Sequence, residues 1–173
     1  MEKLTVVKFG GSAIGVDGEG LPTILDRINH LKTDSKVIVV CSAPLTEIEA
    51  KKHSLTDVML NLGNNMAAGD NPNVDTIANS YAKIIQMISD GLKEECQKKI
   101  DEMLSLAIKS LQEANEQGKF EDEVRAKALA YSGEVLMSHV MNFLLKSNGI
   151  KSESVSLDDW PICLLYTSPS PRD

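Results

Sequence analysis

The run Leu4-Thr-Val-Val-Lys-Phe9, ended by Gly10-Gly11, decides the fold of this chain. Its apolar, β-branched residues predict a short buried strand, and two glycines let the backbone turn without a Cβ penalty. A helical pattern follows over 21–31, with Pro22 in its first turn, and a second β-branched run covers 36–41. Strand, helix and strand within about forty residues predict a βαβ unit, hence an α/β fold with a parallel sheet covered by helices.

Helical patterns dominate the rest of the chain. The predicted helices cover residues 54–63, 74–91, 92–118 and 122–147. Ser54 is the expected N-cap of the first of these helices, residues 64–73 are rich in turn formers, and Gly63, Gly118 and Gly149 mark expected ends. Residues 150–157 alternate weakly between apolar and polar, which makes them a candidate third strand.

Composition excludes several classes of protein. The chain has 173 residues, enough for one domain, and its net charge of -7 with a pI near 5.0 argues against a nucleic-acid partner. No apolar stretch approaches the ~20 residues that span a membrane, and no signal peptide is visible. The three cysteines and three histidines show neither disulfide nor metal spacing, so we expect a reducing, cytoplasmic location and no metal ligands.

Four places along the chain carry side chains suited to chemistry. Lys8 to Ser12 stand where a parallel strand meets its loop, and glycine amides with a lysine suit a phosphate, although a plain turn explains them equally well. Ser42 follows the second strand, and Thr56 lies in a first helical turn, where free amides favour a carboxylate or phosphate. Glu134, beside a glycine inside a helical pattern, could bind an ammonium group. Turn formation, local capping and solvent exposure are the alternative roles.

These motifs occur in an order that resembles a known family. Val7-Lys-Phe-Gly-Gly-Ser12, Val39-Val-Cys-Ser-Ala-Pro44, Ser54-Leu-Thr-Asp57 and Tyr131-Ser-Gly-Glu134 together resemble the aspartate kinases of the amino-acid kinase superfamily. The resemblance implies a three-layer αβα fold with a mainly parallel sheet and a helical insertion. It also implies transfer of the γ-phosphoryl group of ATP, with Mg²⁺, to the β-carboxylate of L-aspartate, the entry to lysine, threonine and methionine biosynthesis.

The resemblance also assigns roles to residues. Lys8 would contact the transferring phosphate as the catalytic residue, and Lys8, Phe9, Gly10, Gly11 and Ser12 would bind ATP. Ser42, Thr56 and Glu134 would bind L-aspartate, with Glu134 holding its amino group. Full-length relatives are expected to be homo-oligomers, with neither nucleic acid nor membrane as a partner.

The chain also departs from the family's pattern. A Gly-Arg-Gly-Gly-Ser-Asp motif and a nucleotide-binding Thr-Asp segment of the second half of the kinase domain do not occur, and Ala13 follows Ser12 where many relatives have a second hydroxyl. We therefore expect residues 1–162 to be the N-terminal part of a kinase domain that is inactive alone. Residues 163–173, with Pro169 and Pro171, are expected to be a disordered or adaptor-derived, non-native tail.

Two alternatives remain open at this stage. Another kinase of the superfamily, acting on glutamate, acetylglutamate or uridylate, shares the Gly-Gly strand end. A non-catalytic helical interaction module would use the amphipathic stretch over 92–118.

Overall fold

A parallel pair of strands joined by a helix begins the fold. The computed structural model describes residues 3–70 and 73–155. Strand β1 (Leu4–Phe9) pairs in parallel with β2 (Lys36–Cys41), and the crossover contains the short helix α1 (Gly11–Ile14) and helix α2 (Leu21–Leu31). The predicted βαβ unit and the α/β class are confirmed.

The two faces of this sheet differ in exposure. Side chains alternate along each strand, so Phe9, Val39 and Cys41 pack against the core. On the opposite face Leu4 is 59% exposed and Val6 63% exposed. Lys8 follows Val6 by two residues and therefore lies on this open face, at the carboxyl end of β1.

An antiparallel hairpin follows β2 directly. Strand β3 (Leu45–Ile48) pairs with β4 (Lys51–Ser54) across a turn in which Glu49 and Ala50 have φ angles of 50° and 61°. This hairpin is not predicted from the sequence, because neither turn residue is one of the glycines or asparagines that usually mark such turns. A parallel bridge from Val16 to Leu45 joins the hairpin to the loop after α1.

Helices make up the remainder of the described chain. They are α3 (Leu55–Ala67), α4 (Asp75–Ile85), α5 (Asp90–Gln117), α6 (Asp122–Ser132) and α7 (Glu134–Ser147). The long predicted helix is confirmed as α5, whose cap Gly118 has a φ of 64°. Most predicted positions on its apolar face are buried, whereas Ile108 is exposed.

Three predicted helix boundaries are wrong. Helix α3 continues through Gly63 to Ala67, so the turn-rich interpretation of 64–73 fails over its first residues. A Cβ on Gly63 would lie 2.2 Å from Cε1 of Phe120, so this glycine makes room for an aromatic ring and does not end the helix. The pattern over 74–91 contains the whole of α4 and the first residues of α5, and the helix predicted over 122–147 is broken at Gly133.

The predicted third strand is also absent over its described part. Residues 150–155 form no strand, and residues 156–157 lie outside the described residues. The segment is bound to α7 by side chains instead: Ser152 Oγ donates to Asn142 Oδ1 at 2.8 Å, and Ser154 Oγ lies 3.2 Å from Ser138 Oγ. These side-chain hydrogen bonds attach the segment to α7, and its described residues form no backbone pairing with a strand. The predicted tail over 163–173 likewise lies outside the described residues.

Candidate active site

The carboxyl ends of the two parallel strands bring the first two motifs together. The amide of Ser42 donates to the carbonyl of Phe9 at 3.0 Å, so the chain leaving β2 lies beside the chain leaving β1. A Cβ on Gly11 would lie 2.8 Å from the carbonyl oxygen of Ala43. Only glycine fits this approach, and it fixes the Gly-Gly turn against the Ser42-Ala43-Pro44 segment.

The Gly-Gly turn also begins helix α1. The carbonyl of Gly10 accepts the amides of Ala13 and Ile14 at 2.9 and 3.1 Å. Gly11 and Ser12 are the first residues of this helix, where amides have no intrahelical acceptor. A Cβ on Gly10 would meet no atom within 4 Å, so there is open space beside the turn. This combination suits a phosphate group held by backbone amides.

The N-terminus of α3 lies on the other side of the same segment. The amide of Leu55 donates to the carbonyl of Pro44 at 3.1 Å, and Ser54 Oγ accepts the amides of Thr56 and Asp57 at 3.0 and 3.4 Å. The predicted N-cap is confirmed. Thr56, half-buried in the first turn, is thereby held next to the chain that leaves β2.

Gly133 brings the fourth motif to this point. A Cβ on this buried residue would lie 2.8 Å from the carbonyl oxygen of Leu129, 3.4 Å from Ala43 Cβ and 3.5 Å from Thr56 Oγ1. This glycine therefore allows close packing of the helix break against Ala43 and Thr56. Because α7 begins at Glu134, its positive N-terminal end lies next to Thr56.

A cavity of about 1060 Å³ connects several of the predicted site residues. Lys8, Ser42 and Glu134 line it, so three of the predicted functional side chains share one open space. Thr56 does not line it, although its Oγ1 would lie 3.5 Å from a Cβ built on Gly133, the residue before Glu134. Phe9 and the Gly10 to Ser12 turn are also outside the lining.

The charges around this cavity favour an anion. Among the described residues, the charged side chains that line it are Lys8, Lys32, Lys36, Lys151, Glu134 and Glu153. Lysines outnumber glutamates in this described lining, although the chain as a whole has a net charge of -7. A small anionic ligand therefore fits here, as local groups can hold it despite the acidic whole.

The cysteine that lines the cavity, Cys41, is held in its neutral form. Burial raises the pKa of the Cys41 thiol to about 12, so this cysteine is not a thiolate nucleophile near neutral pH. Both described cysteines, Cys41 and Cys96, are free. Among residues 3–70 and 73–155, no group of three or more His, Cys, Asp or Glu side chains is placed to hold a metal ion.

Comparison with known proteins decides the family. A model of the amino acid kinase family matches residues 3–172. The chain belongs to the amino acid kinase family. A search of curated proteins found no match.

Membership gives the candidate site a reaction class. This amino acid kinase belongs to a family of phosphotransferases, which confirms the predicted kinase at that level; kinases of this family generally use ATP and Mg²⁺. No helix in the described part of the chain is both long and apolar enough to cross a membrane.

Tyr81 lies next to the candidate site but is not among the residues predicted from the sequence. Tyr81 of α4 is fully buried, and its hydroxyl donates to the carbonyls of Ser132 and Gly133 at 3.1 and 3.2 Å. In the sequence Tyr81 occupies a core position of an amphipathic helix, and no local pattern distinguishes it from an ordinary packed aromatic residue.

Proposed function

We propose that this amino acid kinase transfers the γ-phosphoryl group of ATP to the β-carboxylate of L-aspartate. The observation that carries the proposal is the meeting of two helix N-termini beside one cavity. Thr56 of α3 and Gly133, which precedes α7, lie against each other, while Lys8 and Glu134 line the cavity there.

An amino-acid dicarboxylate has complementary groups for this arrangement. Its ammonium group would pair with the carboxylate of Glu134, which is exposed to the cavity. A carboxylate would be stabilised by the first turns of α3 and α7 and by the Thr56 hydroxyl, since helix N-termini favour negative charge. Ser42, half-buried at the end of β2, adds a hydroxyl from the sheet side.

The chemistry places few demands on proton transfer. The acceptor carboxylate has a reference pKa near 4 and is already ionised at neutral pH, so no general base is required. Catalysis then depends on aligning the two substrates and on neutralising charge on the phosphoryl oxygens. Lys8, at the end of β1, and the amides of the Gly-Gly turn would supply charge from this chain. Mg²⁺, when bound with ATP, would add charge neutralisation at the phosphates.

We further propose that residues 1–162 form the acceptor-binding part of the kinase domain. The Gly-Arg-Gly-Gly-Ser-Asp motif, which the resemblance associates with substrate and phosphate binding, does not occur in these 173 residues. The chain alone should therefore bind L-aspartate while showing negligible turnover.

Calorimetric titration of the 173-residue chain tests the acceptor. L-aspartate should bind, whereas L-glutamate, N-acetyl-L-glutamate and uridine monophosphate should bind at least tenfold more weakly. Glu134→Gln should weaken L-aspartate binding at least tenfold because the partner of the ammonium group loses its charge. Glu153→Gln is the matched control, since it removes the same charge from the lining of the same cavity.

The Glu153→Gln control distinguishes a specific ion pair between Glu134 and the ammonium group from a general effect of negative charge in the cavity. Equal losses for Glu134→Gln and Glu153→Gln would contradict the role of Glu134. Preferential binding of glutamate, acetylglutamate or uridine monophosphate would assign a different acceptor to this kinase.

A further inference from the structure

The break between α6 and α7 is held by a side chain from a third helix. Tyr81 of α4 has no solvent exposure, and its hydroxyl lies 3.1 Å from the carbonyl of Ser132 and 3.2 Å from that of Gly133. Ser132 ends α6, and Gly133 caps α7. The phenol thus contacts the two residues at which the chain changes direction.

A helix break inside a protein leaves carbonyl groups that need donors. The carbonyl of Gly133 also accepts the amide of Met137 at 2.9 Å, the first hydrogen bond of α7. The Tyr81 hydroxyl has one proton for the two carbonyls, so they share it. A buried carbonyl without a donor is costly, and the Tyr81 hydroxyl therefore favours the broken conformation over a continuous helix.

The phenol is kept in its donating form. Burial raises its pKa well above the ordinary value, and the negative charge of Glu134 acts in the same direction. Tyr81 is not among the residues that line the cavity. Its hydroxyl therefore acts on the backbone and does not contact a ligand there.

Helix α4 also contacts the loop that follows α1. Lys83, two residues after Tyr81, forms an ion pair with Asp17, which has a φ of 50° in the loop that follows α1. One helix thus contacts both the loop that follows the Gly-Gly turn and the break that begins α7.

We propose that Tyr81 is a positioning residue for the acceptor substrate: its hydroxyl fixes the helix break at Gly133 and thereby places Glu134 and the N-terminus of α7 beside Thr56. The role in placing the acceptor substrate rests on the proposed function. The role in fixing the helix break does not, because it follows from the two hydrogen bonds of the Tyr81 hydroxyl.

Tyr81→Phe tests the inference, because it removes the hydroxyl and keeps the ring in the core. The matched control is Ser80→Ala, which removes a hydroxyl from the adjacent residue of α4. Ser80 is 1% exposed, and its Oγ has no hydrogen-bond partner among the described residues. Both variants would be made in the 173-residue chain.

Two measurements are compared for each variant. Hydrogen exchange should become at least tenfold faster at the amides of residues 133–137 in Tyr81→Phe, with smaller changes elsewhere. Calorimetry should show L-aspartate binding weakened at least tenfold. Ser80→Ala should match the unsubstituted chain in both measurements.

The two measurements separate this inference from the proposed function. If the unsubstituted chain bound L-aspartate and Tyr81→Phe bound it equally well, the positioning role would be wrong while the proposed function stood. If the unsubstituted chain bound no L-aspartate, the proposed function would fail, and unchanged exchange at 133–137 would separately overturn the role of Tyr81. If hydrogen exchange became equally faster at amides throughout the Tyr81→Phe chain, the positioning role would also be wrong, because that result indicates a general contribution of Tyr81 to stability.

Discussion

Gly133→Ala is the substitution that should disturb the candidate site most directly. The added Cβ would lie 2.8 Å from the carbonyl oxygen of Leu129, closer than side-chain carbons approach backbone oxygens, and 3.4 Å from Ala43 Cβ. A backbone carbonyl within a helix cannot rotate away as a flexible side chain would. The substitution therefore requires α6 and α7 to shift relative to each other, and Glu134 shifts with them.

The size of the effect follows from two opposing contributions. Overpacking a well-filled position lowers the free energy of unfolding by about 1–3 kcal/mol. Replacing glycine by alanine raises it by roughly 0.4–1 kcal/mol, because the unfolded chain has less conformational entropy. A net loss of about 1–2 kcal/mol is expected, which lowers Tm by about 2–8 °C for a domain of this size. L-aspartate binding should weaken about tenfold or more, equivalent to at least about 1.4 kcal/mol.

Thermal unfolding and calorimetric titration measure both effects, and Gly91→Ala is the matched control. Gly91 lies in α5, and a Cβ there would meet no atom within 4 Å. This control should raise stability by about 0.4–1 kcal/mol and leave L-aspartate binding unchanged. The reasoning would be refuted if Gly133→Ala were as stable as Gly91→Ala and bound L-aspartate with unchanged affinity.

Three further substitutions test other parts of the account. Lys8→Ala, in a chain that also carries the proposed second half of the kinase domain, should reduce turnover by orders of magnitude, because the proposed role of Lys8 is in the transition state. The circular dichroism spectrum should not change, because Lys8 is exposed, and a change confined to KM would contradict the proposed role. Ser54→Ala should lower the free energy of unfolding by about 1 kcal/mol in urea titrations, since the amides of Thr56 and Asp57 lose their acceptor, and no change would show that the cap is dispensable. Burial and, secondarily, Lys99 lower the pKa of His139, so the folded state favours the neutral ring. The neutral ring therefore contributes its whole stabilising effect above the unfolded-state pKa of about 6.5. This contribution is lost as the pH falls below that value and through the lowered pKa of the folded state. His139→Gln should flatten the pH dependence of the free energy of unfolding between about pH 5 and 8, the range over which histidine ordinarily titrates. An unchanged pH dependence would contradict the contribution of His139.

The first βαβ unit could be predicted because its signals are local. A β-branched run over 4–9 ends at two glycines, and a single apolar face continues over 21–31. Helix α5 and its end at Gly118 were predictable for the same reason. In each of these elements the hydrophobic period and the terminal residue indicate the same structure.

The errors occur where tertiary contacts override local preference. Gly63 has the sequence signature of a helix end, but it lies inside α3 because the Phe120 ring packs against it. Gly133 interrupts a pattern that otherwise continues, and the conformation of the break depends on Tyr81, which is distant in sequence. The hairpin turn at Glu49 and Ala50 has no glycine or asparagine to mark it.

More of the candidate site than of the helix boundaries and the hairpin could be predicted from the sequence. Lys8, Ser42 and Glu134 were each identified from their positions, and the structure brings them to one cavity. Local pattern alone could not show that Thr56 lies against Gly133, because that proximity depends on how α3 and α7 pack.

Phosphorylation of the acceptor tests the central claim most directly. A chain that carries these residues together with the proposed second half of the kinase domain would be incubated with ATP, Mg²⁺ and each candidate acceptor, and acyl phosphates would be trapped with hydroxylamine. The account predicts ATP-dependent hydroxamate from L-aspartate and little from L-glutamate or N-acetyl-L-glutamate. Hydroxamate formed preferentially from either of those acids, or phosphorylation of uridine monophosphate in place of aspartate, would contradict it.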